Sequence, residues 1–361
     1  MKSRFLLPFF LLIAAALLSA CSGGYQTTGW PSVHVDDQTA YLASGPHVYA
    51  VGLENGLERW RFPEKADMKM QFYAKPAMTP DGQLIVGDYS HILYSLNPET
   101  GLENWRFEES QYGYIAGPLV TESAIFAPTN GGQVYALDLK GNLRWRKSLD
   151  GQHGIWTQPV MGADCGCIYV ASMDHRLYAL NAENGEILWV SEGLGGAFVG
   201  RPALSEVGVL YAGNFDKKVV SLNAQTGAAA APAYETDAWV WSGMALVDDR
   251  LYFGDQAGNF YVLDTADGLS PLAKVPGTEA IVSTPLVVSD TVYVTTQDGS
   301  LLLFDRDGNP QGRQAFAESE LPSSPVQADN LILLAPIKLD SLLIAVNAQG
   351  LQQWAFVPEK K

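Results

Sequence analysis

The feature that most constrains this chain is a phrase that repeats. LYALNAENGEILW, Leu177 to Trp189, reads as a strand, a tight turn and a second strand ending on tryptophan. VYAVGLENGLERW, ILYSLNPETGLENW and VYALDLKGNLRW precede it in the same form. Aligned on the turn glycine, the copies fall at Gly56, Gly101, Gly141, Gly185, Gly227, Gly268, Gly308 and Gly350, spaced by 45, 40, 44, 42, 41, 40 and 42 residues. A fixed period of this length is the signature of a repeat architecture. Eight units of about 42 residues fill the chain from residue 30 to residue 361 and leave no second domain.

Each unit has the same internal grammar. A strand opens near proline, at Pro31, Pro76, Pro118, Pro159, Pro202, Pro285 and Pro325, with Met244 standing in once. A second strand follows, as in CIYVAS, VLYAGN, RLYFGD and TVYVTT, alternating apolar with small or polar residues at period two. The LYALN-type strand is third and the tryptophan-bearing strand fourth. No window shows the 3.6-residue period of a helix. Four antiparallel strands per unit make one blade, and eight blades predict an all-β, eight-bladed β-propeller, in which radial repetition leaves only short, protected edges.

Within the repeated phrase each residue has a mechanical reading. The third strand ends in Asn97, Asp138, Asn181, Asn223, Asp264, Asp305 or Asn347, with Gly52 as the exception. An Asx side chain caps a turn by bonding to backbone two residues on. The glycine supplies positive φ. Four residues later stand Trp60, Trp105, Trp145, Trp189 and Trp354, whose flat side chains can dock on the neighbouring blade if each indole N–H finds a partner. Units five to seven carry Ala231, Leu272 and Gly312 at that place, so this sector is expected to be the softest part of the ring.

Composition narrows the function classes. There are 39 carboxylates against 23 Lys plus Arg, a net charge of −16, and no basic run beyond the extreme N-terminus. That excludes a nucleic-acid surface, which needs clustered cations. The N-terminus reads as a targeting segment: Lys2 and Arg4 ahead of an apolar run from Phe5 to Leu18, too short for a span of about 20 residues. Leu18-Ser19-Ala20-Cys21 resembles a bacterial lipobox. This predicts a signal peptide over 1–20, a lipidated Cys21 and a flexible tether over 21–29. An ordinary signal peptide with an incidental cysteine is the alternative. Ser22 after the cysteine favours the outer membrane where the cell has one. Cys165 and Cys167 are the other two cysteines, and DCGC can form a disulfide or leave two free thiols in a turn. It is too short for a zinc site.

The A-x-[DN]-x-x-x-G-x-x-x-W pattern resembles the tryptophan-docking motif of quinoprotein-type (PQQ-like repeat) β-propellers, and the resemblance covers nearly the whole chain after residue 30. One branch of that family comprises dehydrogenases that hold pyrroloquinoline quinone and calcium on the propeller axis, against an adjacent Cys-Cys pair. This chain has only Cys165-Gly166-Cys167, no acidic cluster suited to a hard cation, five histidines, and none of the G-x-S-x-G, H-E-x-x-H or P-loop motifs. No cofactor, metal or catalytic residue is therefore expected. A second branch comprises lipid-anchored scaffolds serving outer-membrane barrel assembly. The signal, lipobox and eight blades resemble that branch, although its Asp/Arg-rich inter-blade insert is missing. The resemblance implies a non-enzymatic envelope scaffold that binds protein partners. A quinoprotein enzyme or its remnant, and a small-ligand or glycan sensor using the axial funnel, are the alternatives.

Strand parity places the connections between blades and the turns between second and third strands on one rim. The inter-blade segments MQFYAKP, YGYIAGP, HGIWTQP, GAFVGRP and AWVWSGM are aromatic. The residue two before the opening proline or Met244 is always small: Ala74, Ala116, Thr157, Gly200, Ser242, Ser283 and Ser323. Tyr73, Tyr114, Trp156, Phe198, Trp239 and Trp241 form the candidate partner-binding rim, since aromatics concentrate at interface hot spots. Each can instead fill the core between blades. Lys75 and Arg201 stand directly before the proline. They are expected to pair with neighbouring carboxylates or, failing that, to meet an anionic group near the channel mouth.

Overall fold

A computed structural model describes residues 29–150 and 153–359. Its 32 strands form eight four-stranded sheets, each an antiparallel meander of four consecutive strands. Blade one is built from Ser32–Asp36, Thr39–Ser44, His47–Gly52 and Glu58–Phe62, and blade eight from Val326–Ala328, Leu331–Leu334, Leu343–Val346 and Gln352–Phe356. Among the described residues no strand is exchanged between the first and last blades. The ring closes through contacts of neighbouring blades alone. Trp354 Nε1 donates to the Leu53 carbonyl at 2.9 Å across 301 residues, and Ser323 Oγ donates to the Pro31 carbonyl. The signal segment and Cys21 lie outside the described residues.

The core is divided into slabs, one at each junction. Leu84, Val86 and Tyr94 of blade two pack on Ala43, Val48 and Trp60 of blade one, and comparable clusters sit at the other seven junctions. Middle strands are covered on both faces, so Thr39–Ser44 and His47–Gly52 are buried throughout. Their period-two pattern of large and small residues is therefore one of interdigitation between blades rather than of core against solvent. Fourth strands lie outermost and alternate: Glu103–Phe107 is exposed at every second residue until Phe107. First strands lie innermost, where those of adjacent blades touch.

The repeated phrase works as a joint. Asn181 Oδ1 accepts the Glu183 and Asn184 N–H groups at 2.8 and 3.2 Å. Gly185 sits at φ +73°, and a Cβ there would fall 2.6 Å from Trp145 Cε3. Each docking tryptophan thus lies flat on the turn glycine of the next blade. Trp60, Trp145, Trp189 and Trp354 donate Nε1–H to the carbonyl one residue past the Asx position, at Pro98, Ala182, Ala224 and Leu53, over 2.9 to 3.0 Å. Trp105 donates instead to Gln83 Oε1, and Gln83 Nε2 carries the bond on to the Leu139 carbonyl. Across the hairpin the tryptophan faces a small residue: Ala50, Ser95, Ala136, Ala179 or Ala345.

In the tryptophan-free sector the structure corrects two expectations. The residue at the docking position of blade six is Ala273, paired with Val262, and Leu272 points to solvent. One extra residue is taken up after the turn, where Leu269 adopts φ +69°. Nor is the sector uniformly loose. Val262 and Leu303 replace the small partner in blades six and seven and reach the next glycine themselves. Tyr252 and Tyr293 donate their hydroxyls to the Arg306 and Ala348 carbonyls at 3.0 and 2.9 Å, the same carbonyl that a tryptophan serves elsewhere. Only the junction of blades five and six stays open. There Ser221 faces Ala231, and a Cβ on Gly268 would meet nothing nearer than Ala231 Cβ at 3.8 Å.

Candidate functional site: the aromatic mouth and the axial ring

Distance from the opening proline sorts the inter-blade residues. Four residues before it, or before Met244, stand Phe72, Tyr114, Ile155, Phe198, Val240, Ile281 and Leu321, all at most 1% exposed. Tyr114 and Phe198 therefore belong to the slabs between blades and leave the candidate rim. Among the described residues the Tyr114 hydroxyl has no partner at hydrogen-bonding geometry, and burial raises it far above its ordinary range, with Ser110 nearby opposing the rise. Proline is the rigid ruler here: counting back from it, the even offset points into the slab and the odd offset out of it.

At the odd offset of three residues, Tyr73, Trp156 and Trp241 turn toward the mouth and are half-buried. Trp156 and Trp241 approach each other edge to face at 6.1 Å. Between them lies Trp30, a residue the sequence reading passed over, with ring centroids 6.0 Å from Trp156 and 5.2 Å from Trp241. Trp30 enters from blade one while its neighbours belong to blades four and six, so its indole reaches across the axis. Gly29 permits this approach, since a Cβ there would lie 2.4 Å from Tyr73 Cε1. Trp239, five residues before Met244, is 52% exposed and stacks on Phe215 at 5.5 Å. Phe215 also contacts Trp241, and Tyr89 meets Tyr73 edge to face at 5.7 Å. Phe215 and Tyr89 come from turns between second and third strands, the other loops of the same rim. Their aromatic character inside GNFDKK and GDYSH was the signal available.

Those turns are held rigid by buried polar caps at the end of the second strand. Asp255 accepts from the Ala257 and Asn259 N–H groups at 2.9 Å, from Asn259 Nδ2 and from the Tyr261 hydroxyl. Asp88 accepts from Ile92 N and Ser90 Oγ, and burial raises its carboxyl above the usual range.

The residue directly before the proline forms a ring at the axis: Trp30, Lys75, Gly117, Gln158, Arg201, Gly243, Thr284 and Ser324. Neighbours along the ring are stitched together. Gln158 Nε2 donates to the Pro118 carbonyl at 2.7 Å, Met244 N to the Arg201 carbonyl at 3.0 Å, and Thr284 N to Ser324 Oγ at 2.9 Å. The expected pairing of Lys75 and Arg201 with carboxylates is not found. Neither charged head has an ion pair or a hydrogen bond among the described residues, because the ring that surrounds them holds no carboxylate. Both side chains are open to water; desolvation by the surrounding strands lowers the Lys75 ammonium below its ordinary range, and the charge of Arg201 lowers it further. Burial alone lowers Arg201. His34, next along blade one, is kept neutral by burial and by Lys75.

Cys165 and Cys167 form a disulfide in the turn between the first two strands of blade four, on the rim opposite the mouth. Among the described residues no cluster of three or more His, Cys, Asp or Glu side chains could hold a metal. A concave volume of 810 Å³ lies on the outer wall between blades eight, one and two. Its cations are already engaged, Arg59 with Thr39 Oγ1 and Arg61 with Glu58.

With this geometry the chain can be placed among known proteins. The profile of the family described as outer membrane protein assembly factor BamB matches residues 44–228 and 235–355. The chain belongs to the BamB family. Among curated relatives, BamB of Bordetella pertussis is 35% identical over 102 residues, which cover 27% of this chain and 25% of that one. The matched stretch thus spans about a quarter of that relative's length. Among solved structures, BamB from Moraxella catarrhalis superposes with a TM-score of 0.71 at 16% identity, covering 84% of this chain and 92% of that one. A europium-containing methanol dehydrogenase superposes with a TM-score of 0.70 at 13% identity, over 86% and 82% of the two chains. At such identities BamB and the dehydrogenase share the fold with this chain, and the family membership rests on the profile match.

Proposed function

We infer that the protein is a non-enzymatic scaffold of the bacterial cell envelope, lipid-anchored through Cys21, that binds protein partners at its aromatic mouth in the assembly of outer-membrane proteins. The observation that carries this reading is the continuous aromatic surface of Trp239, Phe215, Trp241, Trp156 and Trp30. Large rings that are part stacked and part exposed are the anchors protein interfaces favour. Membership of the BamB family supports the assembly role. The chain enters the ring at Gly29 and Trp30, on the mouth side, so a lipid tether upstream would turn the aromatic face toward the membrane where outer-membrane proteins are built.

The dehydrogenase reading fits the residues poorly. A calcium-bound quinone needs several oxygen ligands on the axis, whereas the axial ring offers two cations and no carboxylate. Among the described residues the one cysteine pair, Cys165 with Cys167, faces the opposite rim.

A photo-crosslinking side chain placed at Trp239, and a second at Asn184 on the opposite rim, test the scaffold reading in cells. An adduct with an outer-membrane assembly protein from position 239 and none from 184 is expected. Equal labelling from both positions, or none from 239, would reject the mouth as the partner face.

A further inference from the structure

We propose that the outer edge of blade three docks an acidic, extended segment of another protein, which adds to the sheet as a fifth strand between Arg146 and Lys147. The edge lies on the outer wall of the ring, so this is independent of the partner reading of the mouth.

The eight outer strands are equivalent by position but not by charge. In blades one and two an arginine follows the docking tryptophan, and a glutamate two residues before the tryptophan neutralises it: Arg61 with Glu58 at 2.5 Å, and Arg106 with Glu103. Blade three keeps the arginine, Arg146, but Leu143 stands in the acid's place. The next position departs too. Phe62, Phe107 and Phe356 occupy it in blades one, two and eight and pack on Tyr94, Tyr135 and Tyr49 of neighbouring blades, whereas blade three has Lys147. With Arg144 and, in the turn, Lys140, four cations fall within eight residues, and residues 139 to 149 hold no acid. Uncharged residues interrupt them in sequence, but the strand Leu143–Ser148 gathers Arg144, Arg146 and Lys147 on one edge. Arg144 also reaches back to the Ser123 carbonyl at 2.5 Å. The two flanking acids are engaged elsewhere. Asp138 caps its turn through the Lys140 and Asn142 N–H groups and Asn142 Nδ2, and Asp150 pairs with Arg176 at 3.4 Å.

That edge is open. Leu143–Ser148 is the last strand of its sheet, and no strand pairs with its outer side among the described residues. The N–H and C=O groups of such a side are a template for strand addition. Blades five, six and seven blunt the same edge with Pro232, Pro271 and Pro310, which lack a donor. Blades four and eight leave it without charge. Blade three combines an edge free of proline with three cations and no acid.

The cations occupy both faces of the strand. Arg146 lies opposite Tyr135, which packs toward blade two, and Lys147 opposite Val134, which packs toward blade four. Residues directly opposite share a face. Successive residues of an incoming strand also alternate in face, so neighbouring carboxylates would reach Arg146 on one side and Lys147 on the other. A flat lipid surface would meet the edge from outside and would not match this two-sided arrangement. With a net charge of −16, the rest of the chain repels an acidic segment and steers it to this strand.

The test follows the anisotropy of a capped fluorescent peptide, Thr-Glu-Glu-Val-Glu-Glu-Val-Thr, titrated with the full-length protein in neutral detergent at low salt. Binding is expected, and it should weaken as salt is raised. A peptide of the same charge with proline for both valines cannot extend a ladder and should bind about tenfold more weakly. Arg146→Gln and Lys147→Gln should each weaken binding about three- to fivefold, the scale of one exposed ion pair. Leu143→Glu restores the acid that blades one and two keep, removes no cation, and should weaken binding about tenfold. Lys69→Gln, on an exposed loop, should leave it unchanged. Thermal melts check the fold of each variant. No binding, equal binding of the two peptides, or full binding by the Arg146→Gln, Lys147→Gln double variant, as expected if the charges only guard the edge, would each overturn the proposal. So would displacement of the peptide by phosphatidylglycerol added to the micelles, which would assign the strand to lipid.

Discussion

The junction of blades three and four and the junction of blades five and six are built from the same strands and turns, yet one is filled and the other is not. At the first, Trp145 lies on Gly185 and its indole N–H reaches the Ala182 carbonyl. At the second, Ala231 leaves Gly268 nearly untouched. The difference teaches that the tryptophan is one solution among several for a fixed problem: cover a glycine turn and satisfy one carbonyl. Blades six and seven solve the same problem in two parts, with an aliphatic side chain for the glycine and a tyrosine hydroxyl for the carbonyl.

The comparison can be broken most forcefully at the filled junction. Trp145→Ala should destabilise the fold by about 3–5 kcal/mol, the usual cost of emptying a packed aromatic site. Chemical denaturation measures it, and a loss under 1 kcal/mol would show that the dock is ornamental. Gly185→Ala should cost about 2–4 kcal/mol, combining left-handed backbone strain with a clash against the indole. Gly268→Ala, with φ +62° but open space, should show the strain alone, about 1–2 kcal/mol. Equal losses at the two glycines would mean that the open junction closes in solution.

The open junction can also be repaired. Ala231→Trp should gain about 0.5–2 kcal/mol, as cavity-filling changes do, because Ser221 opposite is small and a Cβ on Gly268 would meet nothing nearer than Ala231 Cβ at 3.8 Å. Gly312→Trp should gain nothing, because Leu303 holds that space. Thermal melts of the pair sharpen the contrast.

The smallest effect lies in the tyrosine substitutes. Tyr293→Phe should cost about 1 kcal/mol at neutral pH by leaving the Ala348 carbonyl unserved. Burial raises the Tyr293 hydroxyl above its ordinary value of 10.0. The unfolded chain therefore releases that proton first as pH passes about 10, and stability falls with rising pH. The tryptophan docks do not titrate. Tyr49, pushed up to about 12, adds to the same decline. Tyr293→Phe should flatten the alkaline limb of stability against pH, and an unchanged slope would remove Tyr293 ionisation as a contributor.

The ring was legible in the sequence because its joints repeat. A phrase such as Asn181, Gly185 and Trp189 keeps its glycine in eight units, its Asx in seven and its tryptophan in five, so the failures do not hide it. The site was harder to read for the opposite reason. Tyr73 and Tyr114 look alike in the chain, and one residue of offset from proline sends the first to the mouth and the second into a slab. Trp30 gave no signal beyond being a tryptophan near the start, since its partners lie more than 120 residues away in sequence and meet it only on the closed ring. Lys75 and Arg201 invited pairing by simple charge balance. What decides their state is the absence of acid from eight positions that become neighbours only around the axis. Leu272 was misplaced by one extra residue after a turn, a shift that side-chain patterning does not register.

One consequence follows from the way the ring shuts. Among the described residues blades eight and one share no strand, and their seam uses the same indole-to-carbonyl bond as three internal junctions and the same glycine seat as four. The backbone therefore does not distinguish the seam from any other joint. A permuted gene that opened the chain between blades four and five, and linked residue 359 to residue 29, should encode the same circle with every joint intact.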